Sequence, residues 1–253
     1  SLVGSEMCIR DRDRYFQTNI IDFSETKHDE STYSIFGGSI VLEGSTLNAR
    51  QFATQGSREK MAAQIFTGTE HFRSGVSKVT KGTPEPYKKV QSWLQVSYQN
   101  ETYHKVSPKF TLGAYLEAYY SSRNFSNNYT ATLMQAGEFT PTAHSKVTYN
   151  EAFRANQYAG VGAMPIYQLS ESFQLRGEFY GFIPIFPIKK DEYGQAYYGK
   201  AFTKFEYLGE ISLVFQLSFG SISAYVNHYS SPSNDWNVGL TLGWQLFNSR
   251  FVE

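Results

Sequence analysis

The sequence predicts an all-β fold, an antiparallel sheet that crosses a membrane as a transmembrane β-barrel. Period-two alternation of apolar and polar residues is frequent, whereas helical periodicity is nearly absent. Aromatic residues make up 17% of the 253 residues, with 20 Phe and 19 Tyr, and flat rings favour pleated strands over helices. Several alternating runs are longer than the strands of most globular sheets, and a tilted membrane strand needs about 9–11 residues.

Ten strands are predicted, each from an alternating run bounded by turn residues. In chain order they lie at residues 15–24, 33–43, 58–71, 89–102, 107–121, 155–167, 172–186, 202–218, 221–231 and 236–248. Short connections alternate with long ones, as expected for short periplasmic turns and long outer loops. The connection at 44–57 is the exception, because its position predicts a short periplasmic turn and it is long.

The alternation assigns each strand an apolar face and a polar face. In the run 109–121, Leu112 and Leu116 lie on one face, and Tyr115 and Glu117 lie on the other. The acids on the polar face could form a carboxylate pair for glycoside hydrolysis, but we expect neighbouring bases to neutralise them. These acids are Glu117, Glu178, Glu206 and Glu210, and the available bases are Arg154, Arg176 and Lys204.

Composition and motifs exclude several classes of function. Net charge is zero, from 23 basic and 23 acidic residues, so the basic surface needed to bind nucleic acid is absent. No apolar run reaches the roughly 18 residues of a membrane-spanning helix. The chain has no G-x-S-x-G, no dinucleotide or phosphate loop, and no histidine spacing typical of a metal site. The sequence therefore predicts no catalytic residue, metal or cofactor.

The first residues differ in character from the rest of the chain. Ser1–Arg12, which contains the only cysteine, Cys8, resembles a translated sequencing adaptor and has no features of a signal peptide. We expect residues 1–12 to be disordered and residues 13–253 to form the C-terminal part of a membrane barrel whose natural N-terminus is missing.

Six stretches together carry a family resemblance. They are 51–58 (QFATQGSR), 139–146 (FTPTAHSK), 150–158 (NEAFRANQY), 179–184 (FYGFIP), 198–202 (YGKAF) and 237–248 (NVGL to LFN). From about Tyr33 onward the chain resembles the barrel domain of patatin-like phospholipases of Gram-negative bacteria, which belong with the BamA-like barrel superfamily.

The resemblance implies a sixteen-strand barrel of which this chain holds the last ten strands, so that its sheet is either open and curved or artificially closed. It also implies that the loop 122–154 folds into the barrel and carries a motif of the type V-R-G-F. The corresponding stretch here is Phe153, Arg154, Ala155 and Asn156, in which the arginine matches but the glycine and the final aromatic residue do not. The family's arginine contacts an acid on the inner wall, and Glu178 is the partner we expect.

The function implied by the resemblance is that of an outer-membrane barrel that anchors or displays a patatin-like phospholipase. The serine–aspartate dyad of that enzyme is absent from this chain. Expected partners are outer-membrane lipid, the barrel-assembly machinery during insertion, and a second copy of the chain in a homodimer. Two alternatives stay open: a transport or assembly barrel of the same superfamily with no enzyme attached, and a soluble β-sandwich binding module.

Overall fold

A computed structural model describes residues 2–15, 29–73, 75, 86–126, 128–147, 149–217, 220–231 and 236–244. These described residues form many strands, one short helix and two 3-10 turns, at Ser145–Val147 and Glu151–Phe153. In chain order the helix and strands are β1 (Leu2–Tyr15), β2 (Asp29–Ser45), β3 (Gly56–Arg73), β4 (Tyr87–Lys105), β5 (Phe110–Ser121), α1 (Tyr129–Gln135), β6 (Gly137–Glu138), β7 (Arg154–Ala155), β8 (Gln157–Gln168), β9 (Phe173–Pro184), β10 (Ile188–Lys190), β11 (Ala196–Tyr198), β12 (Glu206–Leu217), β13 (Gly220–Tyr229) and β14 (Trp236–Trp244).

One ten-stranded antiparallel sheet dominates the fold. Its strands follow one another in the order β1-β2-β3-β4-β5-β8-β9-β12-β13-β14, and β6–β7 and β10–β11 form two small separate pairs. The strands β1 and β14 are the two edges and do not pair with each other, so the sheet is not closed. The predicted all-β antiparallel fold is therefore confirmed. Among the described residues, no helix is both long enough and apolar enough to span a membrane.

The disorder predicted for residues 1–12 is wrong for the described residues 2–12, which belong to a strand. Residues 2–15 form β1, which pairs with β2 from Leu2↔Leu42 to Tyr15↔Asp29. The physical reason is that β2 would otherwise present a long row of unpaired backbone groups, which any extended segment can satisfy. Residues 16–24 of the predicted strand lie outside the described residues.

The other nine predicted strands are present, and their described ends differ from the prediction by at most four residues. The predicted end of the last strand, residues 245–248, lies outside the described residues. The two short strand pairs and α1 lie within stretches that the sequence predicts to be long connections.

The two faces of the sheet have opposite chemistry, as predicted. We call the face that carries Leu112, Leu116 and Ile211 the apolar face, and these side chains are exposed. The face that carries Tyr115 and Glu210 is the polar face, and it is covered by other parts of the chain. The predicted assignment of alternate residues to two faces is thus confirmed in β5 and β12.

The sheet curves around its polar face. The carbonyl oxygen of Phe52, in the β2–β3 connection (residues 46–55), accepts hydrogen bonds from the side-chain amides of Gln174 and Gln216, each at 3.3 Å. Those residues lie on β9 and β12, four and five positions along the sheet from β3. Because neighbouring strands are about 4.8 Å apart, the sheet must bend for one connection to reach them.

Candidate functional site

The long connection (residues 122–156) lies against the polar face. Phe139 and Phe153 are buried there among aromatic side chains of the strands, in contact with Phe182, whose ring centroid lies 5.5 Å from that of Phe139 and 5.6 Å from that of Phe153. Asn128 caps α1 by accepting a 2.8 Å hydrogen bond from the backbone nitrogen of Ala131. The predicted folding of this connection onto the inner side of the sheet is present.

Arg154 holds the long connection together from within. Its Nη2 lies 2.7 Å from Oε2 of Glu138, and these two residues face each other in the β6–β7 pair. Its Nη1 donates to the carbonyl oxygens of Leu133, Met134 and Ala136, at 3.2–3.4 Å. These carbonyls end α1, where a helix carries partial negative charge, so the guanidinium stabilises the helix end.

The other three residues of the predicted motif are buried beside Arg154. Phe153 packs edge-on against Tyr229, with ring centroids 5.7 Å apart, and Ala155 is fully buried opposite Gly137. The Asn156 amide donates to the hydroxyl of Tyr198 at 3.0 Å. This motif therefore fixes the long connection to the β10–β11 pair and to the strands.

Tyr129 begins α1 where the long connection meets the β10–β11 pair. Its backbone nitrogen donates to the carbonyl oxygen of Gly194 at 2.9 Å. Burial, with smaller effects from the Glu151 carboxylate and Tyr149, raises the pKa of the Tyr129 phenol to about 12. The fold therefore favours the neutral phenol at this junction.

Glu178 is not paired with Arg154, and that prediction is wrong. Its Oε1 accepts from Nε of Arg176 at 3.1 Å, and both side chains are on the polar face of β9. Arg176 also donates to the carbonyl oxygen of Ala53 at 2.9 Å and to Gln174 at 3.1 Å. The physical reason is proximity, because residues two apart on a strand share a face, while the long connection supplies its own acid to Arg154.

Two of the four polar-face acids, Glu178 and Glu206, pair with bases predicted to neutralise them. Besides the Arg176–Glu178 pair, Nζ of Lys204 lies 3.2 Å from Oε1 of Glu206. Glu117 instead accepts hydrogen bonds from the hydroxyls of Tyr115 and Tyr158. These contacts pair or hydrogen-bond the carboxylates, as buried charges in proteins require.

His144 forms a three-residue array that sequence reasoning missed. Its Nδ1 lies 2.6 Å from Oε1 of Glu210, and its Nε2 lies 3.3 Å from Oγ of Ser223. The imidazole stacks on Tyr225 at 3.6 Å between ring centroids. No local pattern could have found this array, because the histidine comes from the long connection and the other residues from β12 and β13.

The array has the connectivity of a serine-hydrolase triad, in which an acid orients a histidine that is hydrogen-bonded to a serine. Its burial argues against catalysis, because Ser223 is 1% exposed and His144 is 3% exposed, which leaves an ester no approach in this conformation. The array instead fixes the long connection to β12 and β13. Within the described part of the chain, no group of three or more His, Cys, Asp or Glu could hold a metal ion.

Comparison of the chain with protein-family models, with curated proteins and with solved structures finds no match in any of the three.

Proposed function

We propose that the sheet is part of the wall of a β-barrel in the bacterial outer membrane, with its apolar face toward lipid. The observation that carries this proposal is the exposure of large apolar side chains on that face: Ile65 is 65% exposed and Leu240 is 80% exposed. The covered face buries charged side chains such as Arg176 and Glu210. A soluble β-sandwich has the reverse arrangement, with its apolar face inside, and such a wide exposed apolar surface is typical of a membrane or partner contact.

Strand length supports the same proposal. The ten strands of the sheet run from 9 residues in β14 to 19 residues in β4, and a tilted strand needs about 9–11 residues to cross a bilayer. In lipid, the backbone groups at the edges β1 and β14 would need partners. Further strands of a sixteen-strand barrel would supply them.

The polar face supports an anchor rather than an open channel. The β2–β3 connection (residues 46–55) covers it at one end, and the long connection (residues 122–156) covers it at the opposite end. Both are fixed by buried contacts, through Arg176 and through His144. A passive pore would leave this path open to water.

The resemblance to patatin-like phospholipases supports the second part of the proposal, in which the barrel anchors or displays a lipid acyl hydrolase whose catalytic domain is not in this chain. The burial of Ser223 and His144 agrees with the absence of catalysis within the sheet itself. The chain alone is therefore expected to have no esterase activity.

Membrane insertion is tested by exporting the chain behind a cleavable signal in a Gram-negative host and extracting the membranes with carbonate. The matched variants are Ile65→Asp on the apolar face and Gln64→Asp on the polar face, one residue apart on β3. We expect Ile65→Asp to lose most carbonate-resistant protein, because a carboxylate facing mid-bilayer lipid is destabilising, by less than the roughly 2–4 kcal/mol of a lysine or arginine there, and Gln64→Asp to retain it. If carbonate extracts the unaltered chain and both variants equally into the soluble fraction, the membrane proposal is contradicted.

The hydrolase part is tested with a phospholipid ester assay. We expect no turnover by the chain alone and turnover, sensitive to a serine-reactive phosphonate, once the natural upstream sequence is present. Turnover by the chain alone that Ser223→Ala abolishes would overturn this proposal and make the His144 array an active site.

A further inference from the structure

The apolar face contains a groove of about 640 Å³. It runs across β8, β9, β12 and β13 to β14, and its volume is in the range of pockets that hold one small organic molecule. Large side chains form its rim: Val161, Phe179, Phe205, Tyr207, Ile211 and Trp236.

Two glycines make the floor of the groove. A Cβ on Gly181 would lie 2.9 Å from the ring of Phe205, so a larger residue at 181 would displace that ring. A Cβ on Gly209 would lie 3.6 Å from the ring of Phe179, which is ordinary contact. Gly181 and Gly209 thus have no side chains at the centre of the groove, whereas the neighbouring positions of the apolar face carry large apolar groups.

One polar side chain lies at the rim of this apolar groove. His228 faces Gly209 across the β12–β13 pair, one residue before β13 ends at Tyr229. Its ring lies beside Tyr207 and Trp236, with centroids 5.9 Å and 4.8 Å away. In the part of the chain that the structure describes, nothing hydrogen-bonds to this imidazole. His228 is half-buried, and at the proposed membrane location its open side faces lipid. A polar group without a partner in lipid is costly, so an occupant with a hydrogen-bonding group at this level would stabilise the site.

We propose that the groove binds one glycerophospholipid, with an acyl chain over Gly181 and Gly209 and an ester or phosphate oxygen hydrogen-bonded to His228. This inference rests on the proposed membrane location. An acyl chain gains little by leaving other acyl chains for the groove, since lipid is as apolar as the rim. Selectivity therefore comes from the shape of the floor and from the His228 hydrogen bond, and both fit a molecule that is apolar along its length and polar at one end.

The experiment uses the chain refolded into phosphatidylethanolamine vesicles that contain a phosphatidylethanolamine with a photoreactive acyl chain. After irradiation, mass spectrometry locates the lipid adducts. We expect adducts to concentrate on Phe179 and Phe205 relative to Leu240, which is on the same face but outside the groove. Equal labelling of groove and face would overturn the groove proposal.

Three variants sharpen the test. Gly209→Leu fills the floor and should abolish the enrichment, whereas Ala224→Leu, a similar enlargement elsewhere on the apolar face, should leave it unchanged. His228→Phe keeps an aromatic ring but removes the hydrogen bond, and should lower groove adducts roughly three- to tenfold, the effect of one hydrogen bond. Unchanged labelling in either Gly209→Leu or His228→Phe would contradict the proposal.

The outcomes separate the groove from the membrane location. Adducts on Leu240 without enrichment in the groove would overturn the groove alone. Absence of adducts from Leu240 and from the groove would overturn the membrane proposal and the groove together. If groove residues instead cross-link to a second copy of the chain and carry no lipid adducts, a dimer contact rather than lipid occupies the groove, and the lipid proposal is overturned.

Discussion

Replacing Arg176 by Met should destabilise the fold far more than removing an exposed arginine. Arg176 is 1% exposed, pairs with Glu178 at 3.1 Å and holds the β2–β3 connection through the carbonyl oxygen of Ala53 at 2.9 Å. Arg176→Met leaves a carboxylate buried without its cation, which costs about 3–5 kcal/mol in proteins. At about 1.4 kcal/mol per factor of ten, the folding equilibrium constant should fall by roughly two to four orders of magnitude.

The assay is urea unfolding of the chain refolded in detergent micelles, followed by tryptophan fluorescence. The control is Arg58→Met, which breaks a 2.8 Å pair with Glu43 in which both side chains are about one third exposed. Such a pair contributes about 0–1 kcal/mol. The double variant Arg176→Met, Glu178→Gln should recover part of the loss, because no charge stays buried alone. A free energy of unfolding for Arg176→Met within 1 kcal/mol of the control would refute the reasoning.

Three further predictions concern the long connection. Arg154→Lys should increase protease cleavage between residues 122 and 156, because a single ammonium cannot reach both Glu138 and the carbonyls that end α1. His144→Phe retains ring stacking but loses the hydrogen bond to Glu210, and should lower the free energy of unfolding by about 1–3 kcal/mol in the same urea assay. The pKa of Tyr129 is raised to about 12, so its contribution is complete below about pH 10, the ordinary phenol value, and is lost as pH rises through 12. Subtilisin cleavage should increase over that window, and Tyr129→Phe should reduce that increase, of which Tyr149 contributes a part because burial raises its pKa as well; an increase identical in Tyr129→Phe would contradict the assignment.

Alternation was enough to predict nine of the ten strands of the sheet, because strands such as β5 and β12 have one exposed apolar face and one covered polar face. The run at 109–121 shows this, since Leu112 is exposed and Tyr115 is buried as expected. Alternation could not predict which backbone fills the edge beside β2, because pairing there depends on main-chain groups. It also gave no account of the long β2–β3 connection, which folds across the polar face to reach Arg176.

Sequence reasoning placed Arg176 and Glu178 on one face of a strand, and that information was enough to predict their pair. The prediction that used the family motif instead assigned Glu178 to Arg154, and overlooked Glu138 within the same connection. The contact of His144 with Glu210 joins residues 66 positions apart. Only the three-dimensional path of the long connection brings them together.

The most direct test of the central claim, that the apolar face contacts lipid, is the accessibility of nitroxide labels along β3 in vesicles. Single cysteines are introduced at Ala62, Ala63, Gln64 and Ile65 in a Cys8→Ser background, and collisions with oxygen and with a water-soluble nickel complex are measured by electron paramagnetic resonance. A lipid-facing wall predicts high oxygen and low nickel accessibility at Ala63 and Ile65, alternating with low oxygen accessibility at Ala62 and Gln64. High nickel accessibility at Ala63 and Ile65 would place that face in water and contradict the claim.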